Sequence, residues 1–169
     1  MKKLSVLTAG ILMMFSLATV TFYTSCTDPC KDVECNDPNG TCVEGTCNCE
    51  VGYEGDDCGT EERAKFLGTF SVSGTITCPV SGNGTITGTV FTVSNSSSSI
   101  QKIVLNFGGA LTLTATVNGT SFTIDNSSIS GYDYSGQGSI SGNNITCTIN
   151  EYDGALLETC IYSFTGPKQ

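Results

Sequence analysis

From residue 66 to the C-terminus, apolar side chains recur at every second position, so each segment has one oily face and one hydroxylated face. Leu111, Leu113, Ala115 and Val117 alternate with Thr112, Thr114 and Thr116. The same period runs through Phe70-Val72-Ile76, Ile103-Leu105-Phe107 and Ile145-Cys147-Ile149, as in half-buried strands. Turn residues punctuate it at Gly82-Asn83-Gly84, Asn95 to Ser99, Gly108-Gly109, Asn118-Gly119, Asp125-Asn126, Gly142-Asn143 and Asp153-Gly154. A spacing of about ten residues predicts roughly eight antiparallel strands in hairpin succession, a mainly β fold. Such a meander must hide its edges, and a closed barrel does so more simply than the alternative two-layer sandwich. Bulky residues dominate the inward phase, which predicts a filled interior. Only Glu61 to Leu67 has the makings of a helical turn.

The N-terminus is patterned differently. Lys2 and Lys3 precede an apolar run from Leu4 to about Phe22, broken only by small residues. No positive stop-transfer flank follows, so the run reads as a cleaved export signal and not as a membrane span. Seven of the ten cysteines then fall within residues 26–58. A segment that small cannot fold on its own core, and an exported chain meets an oxidising compartment, so disulfides are expected. Zinc favours Cys-x2-Cys knuckles and histidine; the chain has neither, and no metal or cofactor is expected.

Loss of Lys2 and Lys3 with the signal leaves 16 acidic against five basic residues, a formal charge of −11. Nucleic acid and anionic lipid surfaces are therefore poor partners. Residues 26–62 hold eleven of the acids and one base, Lys31, whereas the remainder is nearly neutral. That asymmetry marks a boundary near residues 60–65. The expected organisation is a signal at 1–25, a tether at 26–29, a disulfide-rich module at 30–58, a linker at 59–65 and an all-β domain at 66–169.

Three resemblances bear on this layout. Cys30, Cys35, Cys42, Cys47, Cys49 and Cys58, with Cys47-x-Cys49-Glu50-Val51-Gly52-Tyr53 and Gly55 in the last turn, resemble the EGF-like module. That family's pairing would join Cys30 to Cys42, Cys35 to Cys47 and Cys49 to Cys58. Calcium-binding members carry an acidic run before the first cysteine, where this chain reads Thr27-Asp28-Pro29, so calcium is not expected. Tyr23-Thr24-Ser25-Cys26 resembles the lipobox of Bacteroidetes-type lipoproteins. The resemblance implies acylation of Cys26 and a membrane anchor through lipid, in the cell envelope and most simply at the outer membrane. Lys65-Phe66-Leu67-Gly68-Thr69-Phe70 is similar to the opening of lipocalin-like barrels, with Phe70 in place of the family's Trp. Such barrels pair their first strand with their last and often hold a small apolar ligand.

Three cysteines remain in the β domain, and Cys78, Cys147 and Cys160 share the apolar phase of their strands. If the last hairpin turns at Asp153-Gly154, Cys147 stands opposite Cys160 and those two can pair. A bridge from Cys78 to Cys160 would instead staple the first strand to the last, closing a loop worth about 4 to 5 kcal/mol. The second pairing is favoured, leaving Cys147 as a buried free thiol.

The chain contains no histidine, which removes Ser-His-Asp and Cys-His nucleophiles and histidine metal sites. The remaining acid-base candidates are Asp125, Asp133, Glu151, Asp153 and Glu158; a pair of them would suit glycoside hydrolysis. Their positions read as solvated turns and polar faces, so no catalysis is expected. Tyr132, Tyr134, Tyr152 and Tyr162 are candidates for stacking on a sugar or an interface. Two function classes follow. One is an anchored interaction or adhesion module with a protein or glycan partner; the other is a binder of a small apolar molecule, which needs an interior cavity. The bulky inward phase favours the first, and a secreted, unlipidated structural protein is a further alternative.

Overall fold

The computed structural model describes residues 28–109 and 111–169; the export signal and Cys26 lie outside the described residues. Two small hairpins make up the N-terminal unit. β1 (Gly40–Val43) pairs with β2 (Thr46–Cys49), and β3 (Tyr53–Glu54) pairs with β4 (Thr60–Glu61). Disulfides join Cys30 to Cys42, Cys35 to Cys47 and Cys49 to Cys58. Sulfur supplies most of its interior, for Cys35 and Cys58 are buried while Val43 and Val51 are exposed.

Eight longer strands follow: β5 (Gly68–Thr77), β6 (Gly84–Asn95), β7 (Lys102–Asn106), β8 (Thr112–Asn118), β9 (Ser121–Ile129), β10 (Tyr132–Ser141), β11 (Asn144–Asp153) and β12 (Glu158–Pro167). Each pairs antiparallel with the next, and β12 returns to β5, giving the closed eight-stranded barrel. No sheet edge is left for another chain to extend. The closing seam depends on glycine. A Cβ at Gly74 would lie 1.9 Å from the Ser163 carbonyl oxygen, and one at Gly166 would lie 2.0 Å from that of Ser71. Only hydrogen fits on the inner side where first and last strands converge.

Alternation then fills the lower barrel. Phe66, Phe70, Phe91, Ile103, Leu105 and Leu113 are fully buried, each contributing about 1.5–3 kcal/mol. Aromatic rings stack upward from this core. Phe70 lies 5.6 Å from Phe91, which lies 4.9 Å from Phe107 and 5.8 Å from Phe164.

One end is capped by residues 59–66. Residues 59–65, read from sequence as a linker, hold β4 and most of a 3-10 turn at Glu62–Phe66. Phe66 plugs the barrel with its ring edge-on to Phe122 at 5.6 Å. Arg63 is also buried. Its guanidinium donates to the carbonyls of Ser96 (2.9 Å), Ser99 (2.9 Å) and Lys102 (3.2 Å) and to the Glu61 carboxylate at 2.8 Å. The N-terminal unit touches this cap through the Glu62 N–H to the Gly52 carbonyl (2.9 Å) and Lys65 to Glu54 (2.6 Å).

Three expectations need correcting. Asp125-Asn126 is not a turn: both lie within β9 at a bulge, and the hairpin turns at Ser130-Gly131, both at positive φ. The last hairpin does not turn tightly at Asp153-Gly154, because Asp153 pairs with Glu158 across a loop of four residues. The Asp153 carboxylate accepts from the N–H of Ala155 (2.7 Å) and Leu156 (3.2 Å), which holds that wider loop. Cys147 consequently faces Phe164 and not Cys160; Cys160 is joined to Cys78, and Cys147 is a buried free thiol. The third correction concerns the interior, which is not filled throughout.

Candidate functional site

At the end opposite the Phe66 cap, the barrel opens into a cavity of about 240 Å³. Its walls are Val72, Ile76, Ile86, Phe107, Leu111, Ile149 and Phe164, and its polar groups are Thr89, Tyr134, Glu151 and Tyr162. The ladder places these polar side chains together. Tyr134 on β10 is directly opposite Glu151 on β11, and the Tyr162 hydroxyl on β12 donates to Glu151 Oε1 at 3.0 Å. Burial, followed by the charge and bonding of Glu151, raises the Tyr134 hydroxyl well above the ordinary phenol range. Burial and then Glu151 push Tyr162 up to about 12. Both phenols stay protonated donors at neutral pH.

The rim of this mouth is braced. Cys78 and Cys160, just beyond the paired ends of β5 and β12, are disulfide-bonded. Beside them Glu158, only 4% exposed, accepts from the N–H groups of Val80 (2.8 Å) and Ser81 (3.1 Å) and from the Ser81 hydroxyl. These bonds, the Ser81 hydroxyl first, hold its carboxyl below the usual carboxylate range. A loop at the cavity entrance is thus tied to the last strand by covalent and charge-assisted links.

The other carboxylates separate. Asp125 meets Lys102 (2.6 Å) and the Thr116 hydroxyl (2.8 Å) on the outer surface, and Asp133 accepts from Ser128. Asp153 caps its turn, so it and these two keep the roles of solvated and turn-forming groups. Glu151 and Glu158 do not, because both continue the inward phase of their strands. Of the tyrosines, Tyr134 and Tyr162 line the cavity, while Tyr132 and Tyr152 are 36% and 39% exposed. Tyr152 borders a shallower, open cleft of about 660 Å³ on the outer face, with Asn126, Ser128, Asp133, Ser135 and Asn150. That cleft has a mixed polar and apolar lining and is the more open of the two, so the inner cavity better fits the general form of a small-molecule site: apolar lining with a few convergent polar groups.

Glu151 lines the cavity, although sequence reasoning placed it on a polar face. The signal was present, since 145, 147, 149 and 151 form one unbroken period of two. Among the described residues, no three His, Cys, Asp or Glu side chains gather into a group able to hold a metal ion.

No protein-family model matches the chain, and no curated protein matches it in sequence. Among solved structures it is similar to a protein of unknown function from Bacteroides ovatus, at 15% identity and a TM-score of 0.46. The match covers 62% of this chain and 42% of that one, so the chain spans less than half the length of that protein.

Proposed function

We propose that this chain is a non-catalytic binding protein of the cell envelope, which holds a small ligand in the open end of its barrel. The observation that carries the reading is the 240 Å³ cavity, apolar on its walls and polar only at Tyr134, Glu151, Tyr162 and Thr89. A dry cavity of about 150 Å³ admits benzene, and drug-sized ligands occupy roughly 300–1,000 Å³. The ligand therefore falls between these sizes, with an apolar body of one or two rings or a short branched chain. The N-terminal unit, with its EGF-like cysteine order, covers the closed end and connects the barrel to an acyl anchor at Cys26. In that arrangement the open mouth points away from the point of attachment.

The test is a fluorescence titration with 2-naphthol, a neutral two-ring probe with one hydroxyl. Saturable binding at one site per barrel is expected, and Ile86→Trp, which fills the cavity from β6, should abolish it. Binding that is unsaturable, or untouched by Ile86→Trp, would remove the ligand-binding reading and return the interaction-module alternative to first place.

A further inference from the structure

The cavity contains one carboxylate and no counter-ion. None of its lining residues is basic, and Glu151 takes part in none of the ion pairs among the described residues. The charges of the barrel are segregated along its axis. Arg63, Lys65, Lys102 and Lys168 all lie at the capped end, where the first three pair with Glu61, Glu54 and Asp125. Asp133, Glu151, Asp153 and Glu158 lie at the open end, and among the described residues none of them takes part in an ion pair.

Of these four, three are committed elsewhere: Glu158 to the rim loop, Asp153 to its turn, Asp133 to Ser128. Glu151 alone presents its carboxylate to the cavity, with the Tyr162 hydroxyl occupying Oε1. An ionised carboxylate can accept about four hydrogen bonds, so acceptor capacity remains. Tyr134 and Tyr162 stand beside it, and Phe107 and Phe164 line the same cavity; the faces of such rings attract cations. A partly desolvated charge without a protein partner is costly, and a bound cation relieves that cost.

We infer that the barrel mouth selects a small organic ammonium ion with an apolar body, its nitrogen against Glu151 and its carbon skeleton against the apolar wall that includes Phe107 and Phe164. This rests on the ligand-binding reading above and narrows it to a chemical class. The negative field of the open end would also draw such a cation in and repel anionic metabolites of the same size.

The experiment is competition against 2-naphthol by two probes of nearly equal shape, 2-phenylethylammonium and 2-phenylethanol, on the intact oxidised chain. The ammonium should bind about tenfold more tightly than the alcohol. Glu151→Gln should bring the two to parity. So should Thr89→Lys, which places a cation at an exposed lining position and does not disturb the core. Equal or tighter binding of the alcohol to the native protein would overturn the inference while 2-naphthol binding left the cavity reading standing. An ammonium preference that survived both substitutions would overturn it as well. If 2-naphthol itself failed to bind, both readings would fall together.

Discussion

Replacing Cys78 and Cys160 by alanine removes the covalent link across the barrel's closing seam. The β12–β5 ladder of that seam runs over five paired positions, against ten between β11 and β12. Gly74 and Gly166 lie in this seam, where the neighbouring backbone leaves no room for an inward side chain at either position. The bridge closes a loop of 82 residues, and the chain-entropy treatment of such a loop gives about 4.5 kcal/mol. Domains of this size are stable by only about 5–15 kcal/mol, so the double variant should remain folded but marginal. In urea the midpoint should fall accordingly, and the thermal midpoint should drop by roughly 20 °C. Its m-value should rise, because the unfolded chain, freed of the cross-link, exposes more surface. A loss below about 1.5 kcal/mol at unchanged m would refute the idea that sulfur, and not the ladder, secures the closure.

Alkaline pH should weaken the fold. Burial pushes the Cys147 thiol from 9.0 up to about 12, and burial with Glu151 pushes Tyr162 from 10.0 to about 12, with Tyr134 raised in the same direction. In each case the folded chain keeps a proton that the unfolded chain has released. Their stabilisation is therefore complete below about pH 9 and is lost as pH rises toward 12; a urea midpoint that holds level from pH 9 to 11.5 would contradict it. Arg63→Ala removes the buried guanidinium that bridges the carbonyls of Ser96, Ser99 and Lys102 and should cost about 3 kcal/mol, with Arg63→Lys recovering less than half, both read from urea unfolding. Mass spectrometry of the mature N-terminal peptide should find Cys26 acylated at the first position; a chain beginning upstream with an unmodified thiol would remove the proposed anchor.

Much of this architecture is local and was therefore legible. Strands announce themselves by their period of two, and the eight-strand count survives even though one expected turn was a bulge. Asp125-Asn126 carries the chemistry of a turn, yet the inward residues on either side, Ile124 and Ser127, keep β9 in the same ladder. What was not legible depends on quantities that no short window contains. A two-residue error in the centre of the last loop is enough to move Cys147 from Cys160 to Phe164. The part played by Arg63 is non-local in the same way, since its three acceptors lie 33 to 39 residues away.

The cavity itself follows from a conflict between pattern and composition. Every inward position in the lower barrel is apolar or glycine, and there the side chains interlock into the Phe70–Phe91 stack. Near the top, the same phase delivers Tyr134, Glu151, Glu158 and Tyr162. A carboxylate cannot be packed over by leucine without a partner for its charge, so the core has to stop where Glu151 begins. Glu158 is satisfied by Val80 and Ser81 and helps wall the rim; Glu151 has only phenols. Polar residues at core positions are expected where local rules yield to function, and here the departure coincides with the open mouth of the barrel. Filling the mouth by Glu151→Leu should therefore stabilise the fold and abolish ammonium binding in the same variant, whereas a Glu151 that merely supports Tyr162 would lose stability on that substitution.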